Sequence, residues 1–342
     1  MISTPNLNPK LDQLAQNLEG DFDYGETLRR LYATDASAYR EVPLAVAFPK
    51  TEADLQSLIA FASENQVSLI PRTAGTSLAG QVVGNGIVVD VSRYWNRILE
   101  IDPDNRTVRL QPGVVRDELN LALQPHGLMF GPETSTSNRA MVGGMVGNNS
   151  CGSNSLVYGN TRDHLLEAKG VLADGSPVHF HALDAETFQQ KRSQSDTLEG
   201  KLYEHIYRLL QDSENQKEIQ SVFPKPSIKR RNTGYALDQM LAAQPFQENG
   251  PSFNFCRLIA GSEGTLCFLT ELTLSLDPLP PEHSALICAH FETIRESLEA
   301  NRIALRLNPR ASELIDRIIL ECTRKNIEQR KNRFFIEGDP GA

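Results

Sequence analysis

The sequence has no long hydrophobic run, few cysteines and no excess of basic residues, and each absence removes a class of function. No stretch reaches the roughly 20 apolar residues that a membrane-crossing helix needs. The opening Met1-Ile2-Ser3-Thr4-Pro5 has neither the basic nor the apolar region of a signal peptide. The five cysteines, Cys151, Cys256, Cys267, Cys288 and Cys322, are widely spaced and include no C-x-x-C pair. That spacing excludes a zinc ribbon or an iron–sulfur ligand run within this chain, and an odd number of thiols fits a reducing, cytoplasmic setting. Lys and Arg number 34 against 43 Asp and Glu, for a net charge of -9. Nucleic acid or an anionic membrane surface would call for clustered cations, so neither is expected as a partner. What remains is a chain of 342 residues, 40% hydrophobic and 23% charged, long enough for two domains with separate cores.

Small residues are abundant where the rest of the chain is ordinary. Ile70-Pro71-Arg72 has strand character and enters Thr73-Ala74-Gly75-Thr76-Ser77-Leu78-Ala79-Gly80, and a second β-branched run, Ile87 to Val91, leaves the turn Gly84-Asn85-Gly86. Such a loop offers backbone N–H groups with little side chain over them. Thr76 and Ser77 can add hydroxyl donors and Arg72 a charge, which suits a phosphate or pyrophosphate. The plainer reading is a tight connection whose glycines serve positive φ.

A second segment, Phe130-Gly131-Pro132-Glu133-Thr134-Ser135-Thr136, is followed by Val142-Gly143-Gly144-Met145-Val146-Gly147-Asn148-Asn149-Ser150-Cys151-Gly152-Ser153-Asn154-Ser155. So many glycines, serines and asparagines build a poor core, but they let backbone pass close to a flat or extended ligand. A dinucleotide fingerprint is the rival. It fails on spacing, because Val142 stands where the first glycine of G-x-G-x-x-G belongs and no Val/Ile-rich strand precedes it.

With Tyr158-Gly159 and Ala260-Gly261-Ser262-Glu263-Gly264-Thr265-Leu266, these segments resemble FAD-linked oxidases of the vanillyl-alcohol-oxidase and p-cresol methylhydroxylase (PCMH) type. Within them the chain is most similar to D-2-hydroxyacid dehydrogenases acting on D-lactate, glycolate or D-2-hydroxyglutarate. The resemblance implies an α+β fold. A helical lead-in over residues 1–42 would precede a PCMH-type FAD-binding domain of two α/β subdomains over 43–277, and residues 278–342 would begin an incomplete α+β cap that carries substrate. It implies that Arg72, Thr73, Ala74, Gly75, Thr76, Ser77 and Leu78, with Pro132, Glu133, Thr134 and Ser135, hold the pyrophosphate and adenosine parts of FAD. Gly143, Gly144, Gly147, Asn148, Asn149, Ser150, Cys151, Gly152 and Ser155, with Tyr158 and Gly159, would approach the ribityl chain and ring. Glu263, Gly264 and Thr265 would close over the other edge. Thr73 departs from the family, where glycine is usual. Some relatives attach FAD covalently through His or Cys, and the opening loop has neither, so non-covalent binding is expected. The intact enzyme would pass electrons from a small hydroxyacid to a separate acceptor or to an iron–sulfur domain beyond this chain. An NADPH-using flavin reductase on the same fold and a non-catalytic nucleotide-binding module remain alternatives.

Elsewhere the chain alternates helix and strand signals. Leu11, Leu14 and Leu18 recur at helical spacing, and Thr51 with Asp54 starts a helix carrying Leu55, Leu58 and Ile59 between strands at 44–48 and 67–70. Asp102-Pro103-Asp104-Asn105 and Ala173-Asp174-Gly175-Ser176 read as hairpin turns. Residues 198–210 form an amphipathic helix, 188–197 a polar surface connection, and 255–260 and 266–274 paired strands. After the linker Asp277-Pro278-Leu279-Pro280-Pro281, a strand at 285–291, helices at 293–306 and 312–326 and a strand start at 334–336 are expected. The cluster Lys229-Arg230-Arg231 is either a solvated loop or an anion clamp, with Arg231 a candidate anchor for a substrate carboxylate. Asn232-Thr233-Gly234-Tyr235 resembles a family segment beside the flavin. His179 and His181 alternate on one strand face, but their place after a hairpin turn favours exposed strand residues over a metal pair. No metal site is expected, and no catalytic base is legible.

Overall fold

The computed structural model describes residues 8–225, 227–228, 230–231 and 234–342. Lys229, Asn232 and Thr233 of the expected anion clamp and flavin-side segment lie outside the described residues.

The first lobe is a four-stranded sheet in the order β1-β2-β4-β3. Helix α1 (Asn8–Asn17) leads into β1 (Asp21–Asp23), and α2 (Glu26–Leu31) into β2 (Ala45–Phe48). Helix α3 (Glu52–Asn65) then crosses to β3 (Leu69–Arg72), which runs parallel to β4 (Ile87–Asp90). The start of α3 is the capping box expected from Thr51 and Asp54. Asp54 does more, because its carboxylate also accepts from the N–H groups of Glu19, Gly20 and Lys50 and so ties the turn after α1 to the helix start. Leu11, Leu14, Leu55 and Leu58 cover one sheet face against Ala45, Ala47, Ile87 and Val89, all nearly free of solvent. The N-terminal lead-in is thus not only helical. Its β1 pairs antiparallel with β2 and widens the sheet.

The second lobe is built on a five-stranded antiparallel sheet in the order β5-β6-β10-β8-β9. β5 (Ile98–Asp102) and β6 (Thr107–Leu110) form the hairpin read from Asp102-Pro103-Asp104-Asn105. Helix α4 (Arg116–Leu123), β7 (Leu128–Met129) and the short helices α5 (Val142–Asn148), α6 (Ser155–Tyr158) and α7 (Thr161–His164) follow. β8 (Leu165–Val171) and β9 (Pro177–Phe180) close the second hairpin around Gly175. Helices α8 (Ala185–Arg192), α9 (Leu198–Gln211), α10 (Ser213–Val222), α11 (Leu237–Leu241) and α12 (Cys256–Ile259) cover one side of the lobe before β10 (Phe268–Ser275) enters the sheet between β6 and β8. β11 (Asp277–Pro278) pairs with β7. Phe188, Tyr203, Phe253 and Phe255 meet at largely edge-on angles in the helical half of this core.

Several sequence expectations fail for physical reasons. Residues 188–192 of the expected surface connection at 188–197 belong instead to α8, because Asp184 accepts from the Thr187 N–H as an N-cap and Phe188 is fully buried, and only 193–197 connect α8 to α9. The run 255–260 is helix α12 and not a strand. Asn254 accepts from Cys256 N–H at its start, and a run this short has no periodicity that separates a buried helix from a buried strand. Residues 285–291 form no strand, since exposed Leu286 and Ile287 bury nothing there, and residues 331–335 make a 3₁₀ turn where a strand was expected. Helices α13 (Ile294–Ala304) and α14 (Arg317–Lys325) start at capping residues Thr293 and Asp316.

Candidate functional site

The two lobes meet along a cleft of about 640 Å³, bordered by the loop after β3, by residues 134–151 including α5, and by the turn 262–264 before β10. Three segments distant in sequence thus converge, and each brings small residues.

The loop after β3 is held open by its backbone. Gly75 has φ +65, a left-handed conformation that an L side chain adopts at a cost of about 1–2 kcal/mol. From Thr73 through Ala79 no main-chain N–H donates to any acceptor among the described residues. Ser77 Oγ and Gln81 Oε1, both at the cleft, are buried without a partner. Unsatisfied donors and acceptors of this kind cost roughly 1–3 kcal/mol each, so the loop is built for a ligand that satisfies them. Successive free N–H groups around a left-handed glycine make a concavity for an anion.

Arg72 takes a different part from the one its position suggests. Its Nη2 donates to Thr34 O at 2.9 Å, its Nη1 to Tyr32 O at 3.4 Å, and the guanidinium lies 5.0 Å from the centre of the Tyr32 ring. Tyr32 Oη in turn donates to Asp90 Oδ2 at 2.7 Å, at the end of β4, and burial pushes the phenol well above its usual range. The arginine therefore staples residues 32–36 beneath the loop while bordering the cleft.

Helix α5 carries glycine at three of its seven positions, although each costs about 1 kcal/mol against alanine in a helix. The packing explains two. A Cβ on Gly143 would lie 2.4 Å from Pro112, and one on Gly144 would lie 2.4 Å from Thr73 Oγ1. At Gly147 the protein neighbours are at ordinary contact distance, so the missing side chain leaves room on the cleft side. The helix ends at Asn149, fully buried with φ +49. The turn after α12 caps its last carbonyls, with Gly261 N donating to Val146 O at 3.0 Å and Glu263 N to Gly147 O at 2.9 Å. Glu263 and Gly264 both have positive φ, and Gly264 packs against Pro71, so this turn joins α5 to the β3 side of the cleft.

The structure brings Arg72, Thr73, Gly75, Thr76, Ser77, Leu78, Thr134, Ser135, Gly143, Gly144, Gly147, Asn148, Ser150, Cys151, Glu263 and Gly264 to the cleft. Ala74, Pro132, Glu133, Asn149, Gly152, Ser155, Tyr158, Gly159 and Thr265 do not border it. Their roles lie one layer out. Glu133 Oε1 accepts from Ser153 Oγ and from Asn154 N and Nδ2, folding the turn in which a Cβ on Gly152 would lie 2.2 Å from Glu133 Cγ. Thr265 Oγ1 donates to Ser262 O. Tyr158 O lies 2.8 Å from His164 Nε2, and Gly159 approaches Asp163. Arg231 is outside the cleft as well, paired with Asp238.

Sequence reasoning missed Arg139, an exposed cation at the cleft whose guanidinium donates to Asn138 Oδ1 and forms no ion pair among the described residues. It also missed the buried Arg162. Among the described residues no histidine borders the cleft. His179 pairs with Glu167 at 2.9 Å and stacks near His181, and among the described residues no group of three or more His, Cys, Asp or Glu side chains is arranged to hold a metal. No helix among them is long and apolar enough to cross a membrane.

Comparison with known proteins agrees with this geometry. The family described as "FAD binding domain" matches residues 43–181. The chain is 36% identical over 317 residues to D-2-hydroxyglutarate dehydrogenase of Pseudomonas putida, covering 91% of this chain and 30% of that protein. It is 34% identical to the Escherichia coli protein of the same name over 94% of this chain and 31% of that one, and 27% identical to glycolate oxidase subunit GlcD of Bacillus subtilis over 86% and 50%. The chain thus spans about 30% of the length of the D-2-hydroxyglutarate dehydrogenases it matches. Among solved structures, alkyldihydroxyacetonephosphate synthase superposes with TM-score 0.60 at 16% identity over 94% of this chain and 51% of that one, and Physcomitrella patens BBE-like 1 with TM-score 0.51 at 16% identity over 78% and 44%. At these identities the likeness speaks for the fold, that of PCMH-type FAD oxidases. The unpaired N–H groups of residues 73–79, the partnerless Ser77 hydroxyl and the space beside Gly147 fit a dinucleotide with a pyrophosphate and a flat ring. Residues 43–181 thus match the FAD-binding domain family, and that match supports FAD as the cofactor.

Proposed function

We propose that this chain is the flavin-binding part of a dehydrogenase that oxidises a D-2-hydroxyacid to the 2-oxoacid, with D-2-hydroxyglutarate the first candidate and D-lactate and glycolate next. The observation that carries the reading is the row of free N–H groups over residues 73–79, a loop that borders a cleft of dinucleotide size at every position but Ala74. Similarity to D-2-hydroxyglutarate dehydrogenases over more than 90% of the chain supports the substrate class.

In this reading FAD supplies the redox chemistry by taking a hydride from the substrate C–H. The chain's own residues hold and shield it. The loop Thr73 to Leu78 binds the pyrophosphate through main-chain N–H groups and the Ser77 hydroxyl, with the exposed Arg139 as the cation, since Arg72 is occupied by residues 32–36. Thr134, Ser135 and the glycine face of α5 line the remainder, and Ser262 to Gly264 close the far wall. Binding is non-covalent, because neither His nor Cys stands in the loop 73–79 and the cleft cysteines Cys151 and Cys267 lie on other segments. Burial pushes the Cys267 thiol up to about 12, which keeps it protonated and a poor nucleophile at neutral pH. Residues 43–277 form the FAD-binding unit and 278–342 belong to a substrate-side region. Electrons leave to a separate acceptor, and five free cysteines suit a cytoplasmic location.

Among the described residues no histidine or lysine borders the cleft and Glu263 is its one carboxylate, so few groups there can take the hydroxyl proton and slow turnover by this chain is expected. Anaerobic mixing of the FAD-loaded protein with D-2-hydroxyglutarate, D-lactate, glycolate and NADPH, followed by flavin absorbance, tests the reading. Slow bleaching by a hydroxyacid, faster than with NADPH, is expected. Bleaching by NADPH with none from any hydroxyacid would assign the chain to a flavin reductase instead.

A further inference from the structure

Arg162 is the most deeply placed arginine of the chain, 2% exposed on α7, and it does not border the cleft. Burying a guanidinium without a counter-charge is expensive, and such groups are normally paired. This one has no carboxylate ion pair among the described residues. Its Nε and Nη2 donate to Ala260 O at 3.1 and 2.6 Å, and Nη2 donates also to Gly234 O at 2.7 Å. Its main-chain N–H donates to Asn149 Oδ1 at 2.8 Å, at the C-terminal end of α5. Arg257 Nη1 closes the cluster by donating to Arg162 O at 2.8 Å. Desolvation holds the guanidinium below its usual range, and attraction to the carboxylates of Asp163 and Asp238, neither of them ion-paired with it, offsets the fall only in part.

These contacts converge on one structure. Ala260 immediately precedes the turn whose Gly261 and Glu263 N–H groups cap α5 and whose Ser262, Glu263 and Gly264 border the cleft. The fit behind that turn is tight, since a Cβ on Gly261, at φ +93, would lie 2.7 Å from Arg162 Nη2. The planar fork binds the carbonyls of two segments at once, a geometry that a lysine ammonium on a flexible stem does not reproduce.

We propose that Arg162 is a positioning residue for the bound flavin: it sets the Gly261–Gly264 turn against α5 at the cleft wall, and its buried positive charge behind that turn favours the more negatively charged, reduced form of the cofactor. The inference rests on the FAD reading of the cleft. It adds a residue outside the cofactor's contact set that governs both how tightly FAD is held and how readily it is reduced. A purely structural arginine would affect folding and leave the potential alone.

The test uses the full chain with Arg162→Lys, Arg162→Met and Gly261→Ala, and measures FAD affinity by fluorescence quenching, the visible spectrum of bound FAD and its midpoint potential. Both arginine substitutions are expected to weaken FAD at least about tenfold and to alter the flavin spectrum. The midpoint potential should fall in Arg162→Met and be largely retained in Arg162→Lys, which keeps the charge. Wild-type affinity, spectrum and potential in a folded Arg162→Met protein would overturn the proposal. If the arginine variants do not fold, Gly261→Ala decides, because it retains the arginine and displaces its fork; an unchanged affinity and spectrum there overturns the proposal equally. Failure of the wild-type chain to bind FAD at all would instead sink the cofactor reading, and the two failures are thereby distinguishable.

Discussion

Gly144 and Thr73 meet without a side chain between them: a Cβ on the glycine would lie 2.4 Å from the threonine hydroxyl oxygen. The third residue of α5 and the first residue of the loop after β3 are thus fitted to one another, and through them the two lobes fix the width of the cleft. Helix propensity alone would favour alanine at position 144 by about 1 kcal/mol. Gly144→Ala is nevertheless expected to weaken FAD binding about tenfold or more, equivalent to at least ~1.4 kcal/mol, by pushing Thr73 and its free N–H groups out of line. Thr73→Gly, which removes the obstructing side chain, should restore most of the affinity in the double variant. A double-mutant cycle on FAD affinity measures this coupling, and simple additivity would show that the contact does not set the cleft.

Ser77 gives a prediction in which two readouts move in opposite directions. Its hydroxyl is buried and partnerless. Removing it in Ser77→Ala leaves apo stability unchanged or slightly raised, since an unsatisfied buried group costs roughly 1–3 kcal/mol. The same change removes one donor to the cofactor and should weaken FAD about three- to tenfold, the effect of a hydrogen bond worth ~0.5–1.5 kcal/mol. Thermal melting of the apo protein beside an FAD titration checks both. A loss of apo stability with unchanged affinity would mean that the hydroxyl serves the loop and not the ligand.

How far the sequence discloses such a site depends on the kind of interaction. The loop at 73–79, α5 and the turn at 262–264 are legible as runs of small residues, because a missing side chain is itself a sequence signal. Strands β2, β3, β4, β8 and β9 follow from short apolar-rich runs bounded by turn residues, β-branched throughout only at Ile87 to Val89. What the sequence does not disclose is which side of a loop a polar group faces. Glu133 lies within the Pro-Glu-Thr-Ser segment yet turns away to hold Ser153 and Asn154, while Thr134 and Ser135 face the cleft. Arg72 stands beside the nest yet spends its guanidinium on Tyr32 and Thr34, which lie about forty residues earlier in the chain. Arg162 reads as one charge in a polar turn, and only tertiary packing against Ala260, 98 residues away, reveals it as buried. The failed strands at 255–260 and 285–291 share a cause: apolar content marks burial or contact, and neither the partner strand nor the hydrogen-bond geometry is written locally.

The junction between the second lobe and residues 278–342 carries a titration that can be checked by pH. Asp277 lies on β11, its Oδ2 buried without a hydrogen bond and 3.6 Å from His164 Nε2. His164 is itself buried, with Nδ1 3.0 Å from Ser275 O and Nε2 2.8 Å from Tyr158 O. Burial raises the carboxyl of Asp277 above the usual range, and attraction to His164 only partly offsets the rise. A group whose folded pKa lies above its unfolded one stabilises the fold below the unfolded value and loses that contribution as pH rises through the folded value. At neutral pH the wild-type protein therefore carries an ionised, half-buried carboxylate at a cost that Asn does not incur, and below about pH 4, near the ordinary Asp value, both side chains are neutral. The melting temperature of Asp277→Asn relative to wild type should accordingly be highest at neutral pH and should decline as the pH falls through the raised pKa. Melting curves from pH 3 to 8 measure the difference. A relative stability of Asp277→Asn that instead rises on acidification would mean that attraction to His164 outweighs desolvation and that the pair acts as an ion pair holding β11 to α7.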